Sequence, residues 1–273
     1  MVSAGGYASA ALKGDGTVWT WGQNIYGQLG INSNELNQGA PVQVLKGGSD
    51  SIDNYLQSIS TVSVGNDHML VIQTLDKTAG GDKTQEQRVW GWGSNGNYQL
   101  TAGPSDAPYG AGLKSAAVRI MGSGERAVEK VKAVYAGFGY SAAINNVDGE
   151  SGINAEILTW GLGRSGQLGN GASADQQYPV LVAAGDTAAH TRNAATDVAD
   201  TGKDTPGYKV TETSGNLTQA KFLALGQDHV SVLRMDGTFW AWGDNTYYQL
   251  GDVNNTLTGN NKPIMSGYRQ IGY

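Results

Sequence analysis

The chain of 273 residues has no cysteine. Disulfides, thiolate metal sites and a cysteine nucleophile are therefore excluded. Charge is also thin. Charged residues make up 15% of the chain, against about 25% in an average globular protein. The formal net charge is −6 and the pI is near 5.0. No cluster of Lys and Arg stands out; Lys130 and Lys132 come nearest, and their alternation suits the exposed face of a strand. Nucleic-acid binding normally needs a basic face, so it is not expected. No apolar run approaches the roughly 20 residues of a membrane-spanning helix. A cysteine-free chain rich in Gly, Asn, Thr and Ser fits an exported or cell-surface bacterial protein somewhat better than a cytoplasmic one. Met1 lies directly against strand-like Val2-Ser3-Ala4, with no leader between them, which reads as a cut within a larger protein.

What the chain has is glycine, 41 residues of it, and one stretch written four times. The clearest version is Gly5-Gly6-Tyr7-Ala8-Ser9-Ala10-Ala11-Leu12, Lys13-Gly14-Asp15-Gly16, Thr17-Val18-Trp19-Thr20-Trp21-Gly22, then Tyr26-Gly27-Gln28-Leu29-Gly30. It reads as strand, tight turn, strand, loop. The Gly-Asp-Gly segment accepts the positive φ of a short hairpin turn. After it, Val18 and Thr20 face one way and Trp19 and Trp21 the other, because strand side chains alternate. Trp92-Gly93, Trp160-Gly161 and Trp242-Gly243 repeat the strand end. Gln99-Leu100, Gln167-Leu168 and Gln249-Leu250 repeat the loop, and Gly65, Gly137 and Gly226 repeat Gly5. Repeats in fixed order imply a solenoid, propeller or array.

These repeats resemble those of the regulator-of-chromosome-condensation family. Repeat one carries Ala4-Gly5, Ser9, Asp15-Gly16, Trp21-Gly22 and Gly27-Gln28-Leu29-Gly30. Repeat four carries Gly226, His229-Val230-Ser231, Asp236-Gly237, Trp242-Gly243 and Gln249-Leu250-Gly251. The resemblance implies an all-β propeller of four-stranded antiparallel blades, with four repeat units in a single domain at about 1–58, 59–128, 129–217 and 218–273. Family propellers usually have about seven blades, and propellers in general 4–8. Four units therefore either close by strand exchange or belong to a longer array. For closure, Tyr268-Arg269-Gln270-Ile271 resembles the strand that opens a repeat. An open stack would expose edges that invite self-association.

Three surface inserts interrupt the pattern, at 75–88, 145–155 and 184–217. They should be exposed and carry few core contacts, with a short helix at 186–195 in the third. Pro41-Val42-Gln43-Val44 reads as an edge strand opened by its proline. The four Trp before glycine should be buried, with Trp19, Trp90 and Trp240 beside them in the core.

Chemistry is sparse. His68 and His229 stand three residues after a repeat glycine, where Ala8 and Tyr140 stand in the other repeats. A slot that accepts His, Ala and Tyr serves packing or hydrogen bonding. His190 has no partner at the spacing of a His-Glu-x-x-His metal site. Asn146–Glu150 and Asp76–Asp82 offer oxygen ligands, but neither fits the calcium-loop pattern, and turn formation is the expected role. No cofactor, metal or catalytic residue is expected. The reading is a non-catalytic module that binds a protein through rim loops. Two inserts fall at the same hairpin of neighbouring blades, and so on one rim. Their candidate contact residues are Asp76, Lys77, Asp82, Lys83, Glu86, Arg88, Asp148 and Glu150. Two alternatives remain open. One is guanine-nucleotide exchange on a small GTPase, the activity of the family's founding eukaryotic member. The other is a carbohydrate-binding surface, for which Tyr109, Tyr178 and Tyr208 speak.

Overall fold

Among the described residues, alternating runs bounded by glycine turns give sixteen strands in four separate antiparallel sheets, one per repeat. The computed structural model describes residues 1–33, 35–47, 55–79, 82–101, 113–123, 128, 130–146, 155–185, 215–251 and 259–265. Blade 1 is β1 (Val2–Gly5), β2 (Ala8–Leu12), β3 (Val18–Gln23) and β4 (Asn37–Gln43). Blade 2 is β5 (Ile59–Val64), β6 (His68–Ala79), β7 (Asp82–Ser94) and β8 (Leu113–Arg119). Blade 3 is β9 (Val131–Ala136), β10 (Tyr140–Asn146), β11 (Ala155–Gly161) and β12 (Gln176–Leu181). Blade 4 is β13 (Ala220–Leu225), β14 (His229–Arg234), β15 (Phe239–Gly243) and β16 (Asn260–Met265). In every sheet the strands pair in chain order. The segments 147–154, 186–214 and 266–273 lie outside the described residues, and with them the expected helix at 186–195 and strand exchange at 268–271.

The third strand of each blade ends alike. Gly22, Gly93, Gly161 and Gly243 have φ of 108°, 107°, 102° and 106°. A side chain rarely adopts this conformation, so the Trp-Gly pair marks one backbone geometry four times. Opposite it, the register of the outer strand slips in every blade. The slipped stretches of β4, β12 and β16 hold Pro41, Pro179 and Pro263. A bulge on an edge strand tolerates the missing N–H. Pro41 thus sits inside β4 rather than opening it, and the strand begins earlier, at Asn37.

The core lies between blades. One set of buried side chains joins Ala8, Ala10, Val18 and Leu29 of blade 1 to Val62, Val64, Met69 and Trp92 of blade 2. A second joins Leu70, Ile72 and Leu100 to Val134 and Trp160. A third joins Tyr140, Ile157 and Leu168 to Val230, Val232 and Trp242. Blades 2, 3 and 4 thus each bury a leading face, carrying the Trp-Gly indole, against the trailing face of the blade before. The same bond seals each joint. Trp92 Nε1 donates to the Gln28 carbonyl at 2.9 Å, Trp160 to Gln99 at 2.8 Å and Trp242 to Gln167 at 2.9 Å.

Three expectations need correction. Trp92, Trp160 and Trp242 are fully buried, but Trp21 and Trp19 are only half-buried, since among the described residues no other blade packs on the leading face of blade 1. Ala155 and Leu217, placed in surface inserts, are core residues between blades 3 and 4. Ala155 begins β11, and Leu217 donates its backbone N–H to the Val182 carbonyl.

Candidate functional site

The hairpins between the second and third strands differ in length. β2 and β3 pair over five residues, Ala8–Leu12, and β14 and β15 over five, His229–Leu233. β10 and β11 pair over seven, and β6 and β7 over twelve, His68–Ala79. Beyond Ile72 and Val89, which match the last pair of the short hairpins, the second blade thus continues as a two-stranded ribbon. The expected insert at 75–88 is this regular ladder rather than a loop. The hairpin of blade 3 extends at the same end of its sheet.

The ribbon grows out of a hairpin that has replaced its usual tip. In blades 1 and 4 the tip is Asp-Gly-Thr. Asp15 Oδ1 accepts from the backbone N–H of Thr17 at 3.0 Å and its hydroxyl at 2.6 Å, and Thr17 Oγ1 accepts from Trp19 Nε1 at 3.1 Å. Asp236, Thr238 and Trp240 repeat this at 2.9, 2.6 and 3.0 Å. In blade 2, Gln73 supplies the missing acceptor. Its Oε1 accepts from Trp90 Nε1 at 3.0 Å, and its Nε2 donates to the Gln57 carbonyl at 2.9 Å. A cation lies over this Trp in all three blades: Lys13 over Trp19, Lys46 over Trp90 and Arg234 over Trp240.

Period two then sorts the ribbon's charges. Glu86 and Arg88 share a face of β7, and Leu75 lies opposite Glu86 with Lys77 two residues on, on the same face of β6. Glu86 accepts from Arg88 Nε at 2.7 Å and Nη2 at 3.2 Å, and pairs with Lys77. Arg119 of β8 reaches the same carboxylate at 3.7 Å. Three cations thus surround one anion on an open face. The bonds from Arg88 and then Lys77 hold the Glu86 carboxyl down to about 2. Asp76 is on the other face, where its Oδ1 accepts from Gln85 Nε2 at 3.3 Å. Asp82 and Lys83 pair with Ala79 and Thr78 at the ribbon's end. Asp148 and Glu150 lie outside the described residues, as do His190, Tyr109 and Tyr208. The structure therefore brings together Lys77, Glu86 and Arg88. Sequence reading missed Arg119, because the bulge in β8 hides which of its residues faces Trp90.

The histidine slot is a joint between blades. His68 is buried, with Nε2 2.9 Å from Ser141 Oγ of blade 3. Ser141 gives its one hydroxyl proton to the Gln99 carbonyl at 2.8 Å, so Nε2 of His68 is the donor. Burial pushes the imidazole down to about 3, so it stays neutral. Tyr140, in the same slot of blade 3, points its hydroxyl at the Gly226 and His229 carbonyls, each at 2.9 Å. Another recurrent bond went unread. Asn24, Asn95 and Asn245, each three residues after a Trp, accept from the N–H of Leu29, Leu100 and Leu250. Among the described residues no group of His, Asp and Glu could hold a metal ion. No described helix is long and apolar enough to cross a membrane.

The model of the regulator of chromosome condensation (RCC1) repeat matches residues 15–72 and 154–198. The chain is 28% identical over 183 residues to the human probable E3 ubiquitin-protein ligase HERC6, covering 67% of this chain and 15% of that protein. It is 26% identical over 258 residues to the ultraviolet-B receptor UVR8 of Arabidopsis thaliana, covering 92% of this chain and 42% of the receptor. The chain thus spans well under two thirds of these relatives. Human WBSCR16 superposes on 99% of the chain with a TM-score of 0.63 and 20% identity, using 55% of its own length. Prp20p of Saccharomyces cerevisiae superposes on 97%, with a TM-score of 0.50 and 16% identity over 64% of its length. Sequence and architecture agree: residues 15–72 and 154–198 match the RCC1 repeat, and each of the four repeat units folds as a four-stranded antiparallel sheet that resembles an RCC1 propeller blade.

Proposed function

We propose that this is a non-catalytic module that binds a protein, and that the β6–β7 ribbon is its contact surface. The observation that carries the reading is the ribbon's length beyond Ile72 and Val89 together with the Lys77–Glu86–Arg88–Arg119 cluster on one open face. A ladder of this kind holds its side chains at fixed spacing, which lowers the ordering cost of binding. Three cations against one carboxylate suit an acidic partner surface, and on a chain of net charge −6 they form a local exception that steers encounter. Prp20p was characterised with its binding to Gsp1p and histones, so protein binding has a precedent on this fold. The composition further supports an exported or cell-surface setting, which fractionation of the producing cells would check.

The test is capture of partners from an extract of those cells by the wild-type chain and by a Lys77→Glu/Arg119→Glu double variant. Partners should be lost with the variant, and wild-type binding should weaken as salt rises. Equal capture by both, with the variant folded, would remove the ribbon from the account.

A further inference from the structure

We propose that the ribbon takes its partner as an added strand. An extended segment with acidic residues at alternate positions pairs antiparallel with the open edge of β7, in the lane that β8 leaves free. The inference rests on the ribbon being the contact surface, and names the kind of partner that fits it.

The backbone decides which groups are offered. In an antiparallel ladder each residue points its N–H and C=O to one side, and successive residues alternate. The Val89 carbonyl accepts from the Ile120 N–H, so Val89 faces β8. Thr74 donates its N–H to the Ser58 carbonyl, so it faces away from β7. Gln87, opposite Thr74, therefore faces away from β6, and so do Gln85 and Lys83. Arg88, Glu86 and Thr84 hold the ladder to β6. β8 covers β7 only as far as Arg119, opposite Trp90. The chain then turns off, with the Met121 N–H given to Thr101 Oγ1 at 3.3 Å. Among the described residues no strand pairs along Gln87, Gln85 and Lys83, and Gln85 is exposed. The stretch from Lys83 to Arg88 is a lane about 20 Å long.

Both edges of the ribbon are open, and charge selects one. On β6 the outward groups belong to Asp76 and Thr78, and Asp76 sets a carboxylate beside them. On β7, Arg119 stands at the head of the lane and Arg88 on the same face, both turned to Glu86. With Lys77 that face holds three cations against one anion. A strand laid in the lane places alternate side chains on the same face, beside Arg88 and Glu86. Carboxylates there meet a net positive charge. The side chains between them meet the neutral Gln85 and Gln87. An unpaired edge is a template for another chain. Strand addition draws its affinity from main-chain hydrogen bonds and its specificity from alternate side chains.

The probe is a capped heptapeptide of alternating Thr and Glu, with alternating Thr and Lys as its control. Hydrogen exchange followed by NMR reads the amides of the 273-residue chain one by one. The Gln85 and Gln87 amides should exchange freely without peptide and at least about tenfold more slowly with the Glu peptide bound. Those of Glu86 and Arg88 should be slow in both. Gln85→Pro removes one outward N–H and none that holds β6. It should melt like the wild type and bind the Glu peptide about tenfold more weakly, the loss of one hydrogen bond. If that variant does not fold, the exchange rates of the wild type decide alone. A Glu peptide that shifts the resonances of Lys77 and Arg119 without slowing Gln85 and Gln87 would overturn strand addition and leave the ribbon's charged face standing. Equal slowing by the Lys peptide would overturn the acidic class. Failure of the Glu peptide to bind would overturn the inference, whereas capture by the Lys77→Glu/Arg119→Glu variant judges the ribbon itself.

Discussion

Trp92, Trp160 and Trp242 do two things at once: each fills the space between blades and spends its one polar hydrogen on a backbone carbonyl across the joint. Truncating any of them to Ala leaves a cavity; loss of Trp92 or Trp242 also removes the indole bond to the Gln28 or Gln167 carbonyl, whereas the Gln99 carbonyl keeps its bond from Ser141. The expected cost is about 3–5 kcal/mol. Trp21→Ala should cost clearly less, because its indole is only half-buried. Chemical denaturation of the four variants checks the ranking. His68 makes a second prediction. Its ordinary value of 6.5 applies to the unfolded chain, and burial lowers it to about 3 in the folded one. The unfolded chain therefore takes up a proton that the folded state refuses. His68 is neutral in both states above about pH 6.5; stability should fall as the pH drops from there towards about 3 and level off below. His68→Gln keeps a donor for Ser141 and cannot titrate, so its profile of melting temperature against pH should be flatter over that window. Parallel profiles would place the sensitivity elsewhere.

At the scale of elements, the ribbon should be separable from the core. The sequence Lys-Gly-Asp-Gly-Thr, the tip of blade 1 from Lys13 to Thr17, can replace Gln73–Arg88 between Ile72 and Val89. The graft brings its own acceptor, since its Thr hydroxyl takes over from Gln73 the bond to the Trp90 indole. Melting temperature should be nearly unchanged; a large drop would show that the ribbon stiffens blade 2. The tips and turns were legible in the sequence because Asp-Gly-Thr and Trp-Gly fix φ and hydrogen bonding within a few residues. The ladder of the ribbon was not, because Asp76, Lys77, Asp82 and Lys83 look the same in a solvated loop as on a paired strand. Arg119 was hidden for a related reason. A bulge inverts the alternation on which face assignment depends. Ala155 and Leu217 were misplaced because an insert's length was read as if all of it were loop, whereas its last apolar residue already belongs to the next joint.

For the whole molecule, the repeated joints make a rigid array whose identity is carried by what it displays. The Trp-Gly, Gln-Leu and Asn positions of the joints recur in neighbouring repeats, and among the described residues no other hairpin pairs over as many residues as the ribbon. That contrast was visible in the sequence as one clean repeat with unequal tips, but the grouping of Lys77, Arg88 and Arg119 around Glu86 needed three strands in register. The most direct measurement compares partner binding by the wild-type chain and by the Lys-Gly-Asp-Gly-Thr graft, using surface plasmon resonance with a captured partner. The account predicts that the graft melts like the wild type and no longer binds. A folded graft that binds with undiminished affinity would contradict it.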